Sequence, residues 1–234
     1  MTEAEGMEKI RRQLAEYASR PETYVPVDAR AFGHLDLAFY DRTQSALQSM
    51  GFVLLGDFEI AEVKGRSGDP HCFVRSMAAG DGTMVAAMYH PKPALWLRLL
   101  LWLTGKPLGK MIELETEFSD DTFIANCTPP TILLDPPPLL IRQFHPAGID
   151  LEKLVTLHRS HVRSYLAANT GVTIRRVTDT AGMIRMQQRQ HAIKGVYREM
   201  VGGMTAEEIR RLGGFSKERA AKFKRIMDEG NPSS

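Results

Sequence analysis

Between Ile112 and Phe118 the chain alternates without a fault. Ile112, Leu114, Thr116 and Phe118 fall on one side, and Glu113, Glu115 and Glu117 on the other. A period of two belongs to a β-strand with one buried face. Strand-like runs surround it. Residues 52–63 form one, with Gly56 at a bulge position. Residues 72–77 and 83–89 read as a hairpin around Gly80-Asp81-Gly82. The second of these is apolar on both faces, which predicts a central strand covered twice. The turn Ser119-Asp120-Asp121-Thr122 leads into a further strand at 123–127. Between Pro129 and Pro146 the chain is rich in proline, yet it also carries Ile132, Leu133, Leu134, Leu139, Leu140 and Ile141. That is too apolar for a free linker. An extended segment strapped over the sheet is expected, with an edge strand at 139–144.

Helical spacing appears on both sides of this region. Residues 2–19 place Ile10, Leu14 and Tyr17 on one stripe, and 34–50 do the same with Leu35, Phe39, Leu47 and Met50 before the stop at Gly51. Asp150 can cap a helix over 150–168, ended by Asn169 and Gly171. A short strand or turn is expected at 172–177. Asp179 then opens a long helix to about Val201, closed by Gly202-Gly203. Two short helices, 205–212 and 216–228, are capped by Thr205 and Ser216. Helices, then a strand meander, then helices predict an α+β fold: a curved antiparallel sheet of about five or six strands with flanking helices and a helical C-terminal region. Three regions follow: an N-terminal helix and linker over 1–30, a core domain over 31–170, and a basic helical region over 171–234.

One block does not fit a sheet connection. Residues 93–104, Pro-Ala-Leu-Trp-Leu-Arg-Leu-Leu-Leu-Trp-Leu-Thr, hold both tryptophans and stand between two strands. Such connections are ordinarily short and polar. This one is far too short to span a bilayer. As a helix it would be apolar nearly all round, with Trp rings suited to a membrane–water boundary and Lys106, Lys110 and Arg98 suited to lipid phosphates. A helix buried against another protein subunit or under the chain's own Pro-rich strap is the competing reading, and a lid over an apolar cavity the third. The residues expected to make the contact are Leu95, Trp96, Arg98, Leu99, Trp102, Leu103, Lys106 and Lys110.

Charge is divided unevenly. Residues 1–150 carry 14 Lys/Arg and 20 Asp/Glu, and residues 151–234 carry 16 and 8, although the whole chain nets only +2. Two regions with different partners, or regions that attract each other, would explain the split. The C-terminal tail concentrates Arg210, Arg211, Lys217, Lys222, Lys224 and Arg225. In outline it resembles a helix-turn-helix. Arg210 stands where the helix crossing usually wants a small residue, and Gly213 where an apolar one packs, so nucleic acid is not the expected partner. A basic amphipathic helix against anionic lipid or an acidic protein suits it better.

The remaining constellations favour ordinary structural roles. The Glu113/Glu115/Glu117 stripe reads as a solvated sheet face or one paired with the basic C-terminal half. His158-x-x-His161 lacks further ligands at metal spacing, so His158 reads as a satisfied core histidine. Nothing links His34, His71, His90, His145 and His191. Met183, Met186, Gln190, Ile193, Tyr197, Met200 and Met204 form a seam expected to pack on its own domain, with homo-oligomer formation as the alternative. Cys72 and Cys127 are expected to be buried, reduced thiols. No phosphate loop, dinucleotide fingerprint, nucleophile elbow or zinc motif is present, and no cofactor is called for.

The leading expectation is a non-enzymatic α+β module attaching peripherally to a membrane or a membrane-bound protein, on the cytoplasmic side, through the 93–104 insertion and the basic tail. The alternatives are a soluble subunit of a protein assembly, and a cavity-type ligand binder or enzyme with a pocket around Met84, Met88, Ile112 and Leu114.

Overall fold

The computed structural model describes Glu5 and residues 20–62, 71–92, 109–128 and 134–229. These residues fall into two compact units. The larger takes in Glu22–Thr131 and Pro138–Gln187; the smaller takes in Met1–Pro21, Ile132–Pro137 and Gln188–Ser234.

The larger unit is built on one open sheet. Its strands lie in chain order: β1 (Tyr24–Pro26), β2 (Phe52–Ile60), β3 (Val74–Ala79), β4 (Val85–Tyr89), β5 (Met111–Glu117), β6 (Phe123–Thr128) and β7 (Leu140–Phe144). Every neighbouring pair is antiparallel except β6 and β7, which run parallel. The expected α+β class with an antiparallel sheet is therefore found, with seven strands among the described residues instead of five or six. The added strand is β1, three residues whose Pro26 hides any alternation. The edge strand expected at 139–144 is present as β7. It is parallel because the connection over 129–139 is long enough to carry the chain back to its starting end, which a tight turn cannot do.

Sequence positions explain local detail. The pairing of β2 with β3 shifts register between Leu54 and Gly56, so the bulge sits where glycine predicted it. Gly56 has φ +145, and a Cβ there would lie 2.8 Å from the Phe58 ring. Only glycine fits both conditions. Gly82 closes the β3–β4 turn at φ +70, with Val177 N donating to its carbonyl at 2.8 Å. Segment 172–177 is anchored by a bridge between Phe118 and Ile174 and is not a full strand.

Two helices cover one face of the sheet. Helix α1 (Leu37–Ser49) is capped by Asp36, which accepts from Phe39 N, and α2 (Leu151–Ala168) is capped by Asp150, which accepts from Lys153 N. They meet Phe52, Phe73, Met77, Met84, Ala86, Met88 and Leu114 with Tyr40, Leu47, Leu154 and Val155. Full burial of each large side chain contributes about 1.5–3 kcal/mol before ordering costs. Tyr40 stacks on Phe73 at 4.3 Å between centroids, and its hydroxyl donates to Phe73 O and accepts from His90 N at 2.8 Å. Met84, Met88 and Leu114 are thus buried in a packed core.

Helix α3 (Thr180–Met200) begins in the larger unit and continues into the smaller one. Asp179 accepts from Gly182 N at 2.6 Å, which is the expected cap. Met183, Met186, Gln190 and Met204 of the seam are buried, whereas Met200 is 78% exposed. In the smaller unit α4 (Ala206–Gly213) and α5 (Lys217–Glu229) form a helical hairpin around Ile209, Phe223 and Met227. Thr205 and Glu208 complete a capping box, and Gly214 ends α4 in the left-handed region.

Candidate functional site

Strands β4 and β5 are neighbours, with Tyr89 opposite Met111, so residues 90–110 are one long connection between adjacent strands. Leu95, Trp96, Arg98, Leu99, Trp102, Leu103 and Lys106 lie outside the described residues. The two legs of the connection are described, and both are tied to one short segment. On the first leg, Lys92 Nζ donates to His34 O at 2.5 Å, and Asp36 N donates to His90 Nδ1 at 3.2 Å. On the second, Lys110 Nζ pairs with Asp36 at 2.5 Å and stands 5.7 Å from the Phe39 ring centroid. Lys110 is thus committed to the stem.

The basic tail is also partly committed. Arg210 pairs with Glu207 at 2.6 Å, Arg211 with Asp135 at 2.7 Å, and Lys224 with Asp228. Lys217, Lys222 and Arg225 are exposed on α5.

The carboxylate stripe is not a wet face. Glu113, Glu115 and Glu117 are only 9%, 3% and 1% exposed. Arg142 on β7 pairs with Glu113 at 2.8 Å, Gln187 donates to Glu115 at 2.7 Å, and Arg175 pairs with Glu117 at 2.9 Å. Of the two expectations for this stripe, pairing holds, but Arg142 comes from the sheet itself. The Cys127 thiol donates to Glu113 at 3.2 Å. Burial, with Glu113 beside it, pushes that thiol far up, so it is an inert buried thiol. Cys72 is also unbridged, but only half-buried.

On the helix-covered face His145, which nothing in the sequence links to the pair, joins His158 and His161 at Asn126. This amide is fully buried on β6. Asn126 Oδ1 and His158 Nδ1 are 2.9 Å apart, while Asn126 Nδ2 lies 2.9 Å from His145 Nε2 and 3.1 Å from His161 Nδ1. On its far side, His158 Nε2 is 2.8 Å from Thr116 Oγ1, which donates to Thr83 O at 2.8 Å. A threonine hydroxyl has one proton. If it goes to Thr83, His158 must donate from Nε2, and the Asn126 NH₂ must turn to face Nδ1. Its Oδ1 then accepts from His145 and His161. In the opposite sense Asn126 accepts from His158 Nδ1–H, and Thr116 sends its proton to His158 instead. The cluster has two complete proton arrangements, and a proton added to His145 or His161 favours the first.

Hydroxyl, imidazole and amide stand in the order of a nucleophile, its base and the group orienting the base. Two observations work against that chemistry. The hydroxyl proton already has an acceptor in Thr83 O. Burial, assisted by His161 and Arg159, pushes His158 down to about 3, a weak base near neutral pH. His158 is the satisfied core histidine that its place among apolar residues predicts. Among the described residues no group of His, Cys, Asp and Glu is arranged to hold a metal ion.

That shift has a consequence for stability. An unfolded histidine titrates near about 6.5. Between about pH 6.5 and pH 3 the unfolded chain binds a proton that folded His158 refuses. The stabilisation is complete above about pH 6.5 and is lost as pH falls toward 3, with a limiting slope of ~1.4 kcal/mol per pH unit. Burial lowers His145 in the same direction. Urea unfolding at a series of pH values will show stability declining on acidification. A His158→Gln variant will show a shallower decline over the same window.

Beside Thr116 the larger unit has a cavity of about 230 Å³. Its walls include Met84, Val162, Leu166 and Ile174, and Arg159 and Arg163 also line it. Neither the hub nor this cavity was identified from sequence. An inward Asn on β6 between apolar residues, together with His-x-x-His on a helix, was the available signal for the hub. No helix among the described residues is long and apolar enough to cross a membrane. Comparison of the chain with protein-family models, curated proteins and solved structures returned no match.

Proposed function

We propose that this protein is a non-enzymatic module that attaches to an anionic membrane surface through the 93–104 insertion. The observation carrying the proposal is the topology of that insertion. Adjacent antiparallel strands can be joined by a few residues, yet β4 and β5 are joined by residues 90–110, whose centre is almost wholly apolar and holds both tryptophans. A long apolar connection whose two described legs are tied to one segment suits a surface other than water. Trp96 and Trp102 enter the interface, and Arg98 and Lys106 meet phosphates. Lys110 instead holds the stem through Asp36. A single shallow anchor gives only marginal binding, so a second is needed, and Lys217, Lys222 and Arg225 on α5 supply the basic surface for it.

Vesicle sedimentation tests this directly. The protein should pellet with vesicles rich in phosphatidylserine and stay in solution with neutral ones. The Trp96→Ala/Trp102→Ala variant should lose most of that binding while unfolding at the same temperature. Wild-type protein that ignores anionic vesicles and forms a discrete oligomer without lipid would assign the insertion to a protein interface instead.

A further inference from the structure

We propose that the cavity between α2, the β3–β4 turn and Ile174 is a binding site for a small amphipathic anion: a monocarboxylate with a short aliphatic tail. The proposal is independent of the membrane reading. Its first support is the gradient of exposure around the cavity. Met84, Thr116 and Val162 are buried and form its inner wall, whereas Arg159 and Arg163 are exposed and stand at its mouth. The interior is mostly apolar. Of its two hydroxyls, Thr116 is shared between Thr83 O and His158, and Thr83 donates to Asp81. A polar ligand body would lose water there without gaining donors.

The second support is charge. Arg159, Val162, Arg163 and Leu166 are spaced i, i+3, i+4 and i+7, so α2 presents one stripe to the cavity. Two arginines at i and i+4 repel each other, a mildly unfavourable spacing for an isolated helix. Among the described residues no carboxylate lies within ion-pair distance of either. The one acid lining the cavity is Asp81. Its Oδ1 accepts from Thr83 N at 3.0 Å and from Thr83 Oγ1 at 2.7 Å, and these bonds, with Arg159 and Arg176 nearby, hold its carboxyl below the usual range. The two arginines outnumber this one acid, so the mouth keeps a positive excess. An anionic head between Arg159 and Arg163 would offset it through charge-assisted hydrogen bonds.

Size sets the class of ligand. At about 230 Å³ the cavity falls below the ~300–1,000 Å³ of sites for drug-sized molecules. A compact chain fits, and a full lipid does not.

The test uses hexanoate and 1-hexanol as probes of the full chain, followed by amide chemical shifts and calorimetry. Hexanoate should shift the amides of Thr83, Thr116 and Val162 in a saturable way, and hexanol should bind more weakly. Arg159→Gln/Arg163→Gln should weaken hexanoate by about tenfold or more while leaving hexanol unchanged. Both arginines are exposed, so this variant should unfold at the wild-type temperature or above. Leu166→Trp, which fills the cavity, should abolish binding of both probes. Trp96→Ala/Trp102→Ala should bind hexanoate as the wild type does, which separates this site from the insertion. Equal affinity for hexanol, an unchanged double arginine variant, or no saturable shift at these amides would each overturn the proposal.

Discussion

Replacing Glu208 with leucine should cost the smaller unit about 3–5 kcal/mol, the usual result of removing one partner from a buried ion pair. Glu208 is fully buried. Both of its oxygens lie 2.8 Å from Arg198 NH1. One oxygen also accepts from Asp135 N, and the other from Thr205 N, each at 2.6 Å. The same residue thus closes the capping box of α4, ties down the chain at Asp135 and neutralises a buried arginine. Leucine supplies none of these acceptors and leaves the Arg198 charge, whose side chain is only 8% exposed, without its carboxylate. Hydrogen exchange over residues 205–229 should accelerate far more than exchange over β3–β6. Arg198→Met/Glu208→Leu should recover a large share of the loss, because the uncompensated charge is gone. No recovery would mean that the acceptor role of Glu208 toward the backbone outweighs its charge.

Arg75→Ala should destabilise the larger unit by a similar ~3–5 kcal/mol. Arg75 points from β3 into the helix-covered face and is 7% exposed. Its Nε and NH2 donate to the two oxygens of Asp57 at 2.7 and 2.9 Å, and NH1 donates to Asp41 at 3.0 Å. The guanidinium also stands 5.6 Å from the Tyr40 ring and 5.8 Å from the Phe73 ring. Asp57 sets the size of the effect, since its side chain is 14% exposed and would be left charged and unpaired. Asp41 is 73% exposed and contributes little. Arg75→Lys should restore only part of the loss, because an ammonium cannot make the two-point contact with Asp57. Urea unfolding of Arg75→Ala, Arg75→Lys and Asp41→Ala measures all three, with Asp41→Ala staying within about 1 kcal/mol of wild type.

The elements that could be read from the sequence are those whose determinants are local. The period of two at 112–118, glycine at the β2 bulge, and the caps Asp150, Asp179 and Thr205 each act within a few residues, and each stands where it was expected. The burial of Glu113, Glu115 and Glu117 was not readable in that way. An alternating Glu pattern looks the same whether its face meets water or arginine. The arginines that decide the matter arrive from β7 and from Arg175, far along the chain. The Asn126 hub failed to show for the same reason. His145 follows β7 while His158 and His161 sit on α2, and only the pairing of β6 with β7 beneath that helix brings them to one amide. The cavity depends on the β3–β4 turn meeting α2, which no local spacing encodes. In the tail, charge counting overstated the cations available to a partner, because Arg210, Arg211 and Lys224 have acidic neighbours of their own.

The open sheet has two ends, and both are blunted. Strand β1 is three residues long and finishes at Pro26; β7 has five residues and lies between Pro138 and Pro146. Proline offers no amide hydrogen to a neighbouring ladder, and very short edge strands give an incoming chain little to zip against. Strand addition, the route by which many open sheets recruit peptides or polymerise, is therefore a poor mode of recognition for this protein. Among the described residues the sheet offers no long edge from which sheet-to-sheet fibre growth could start.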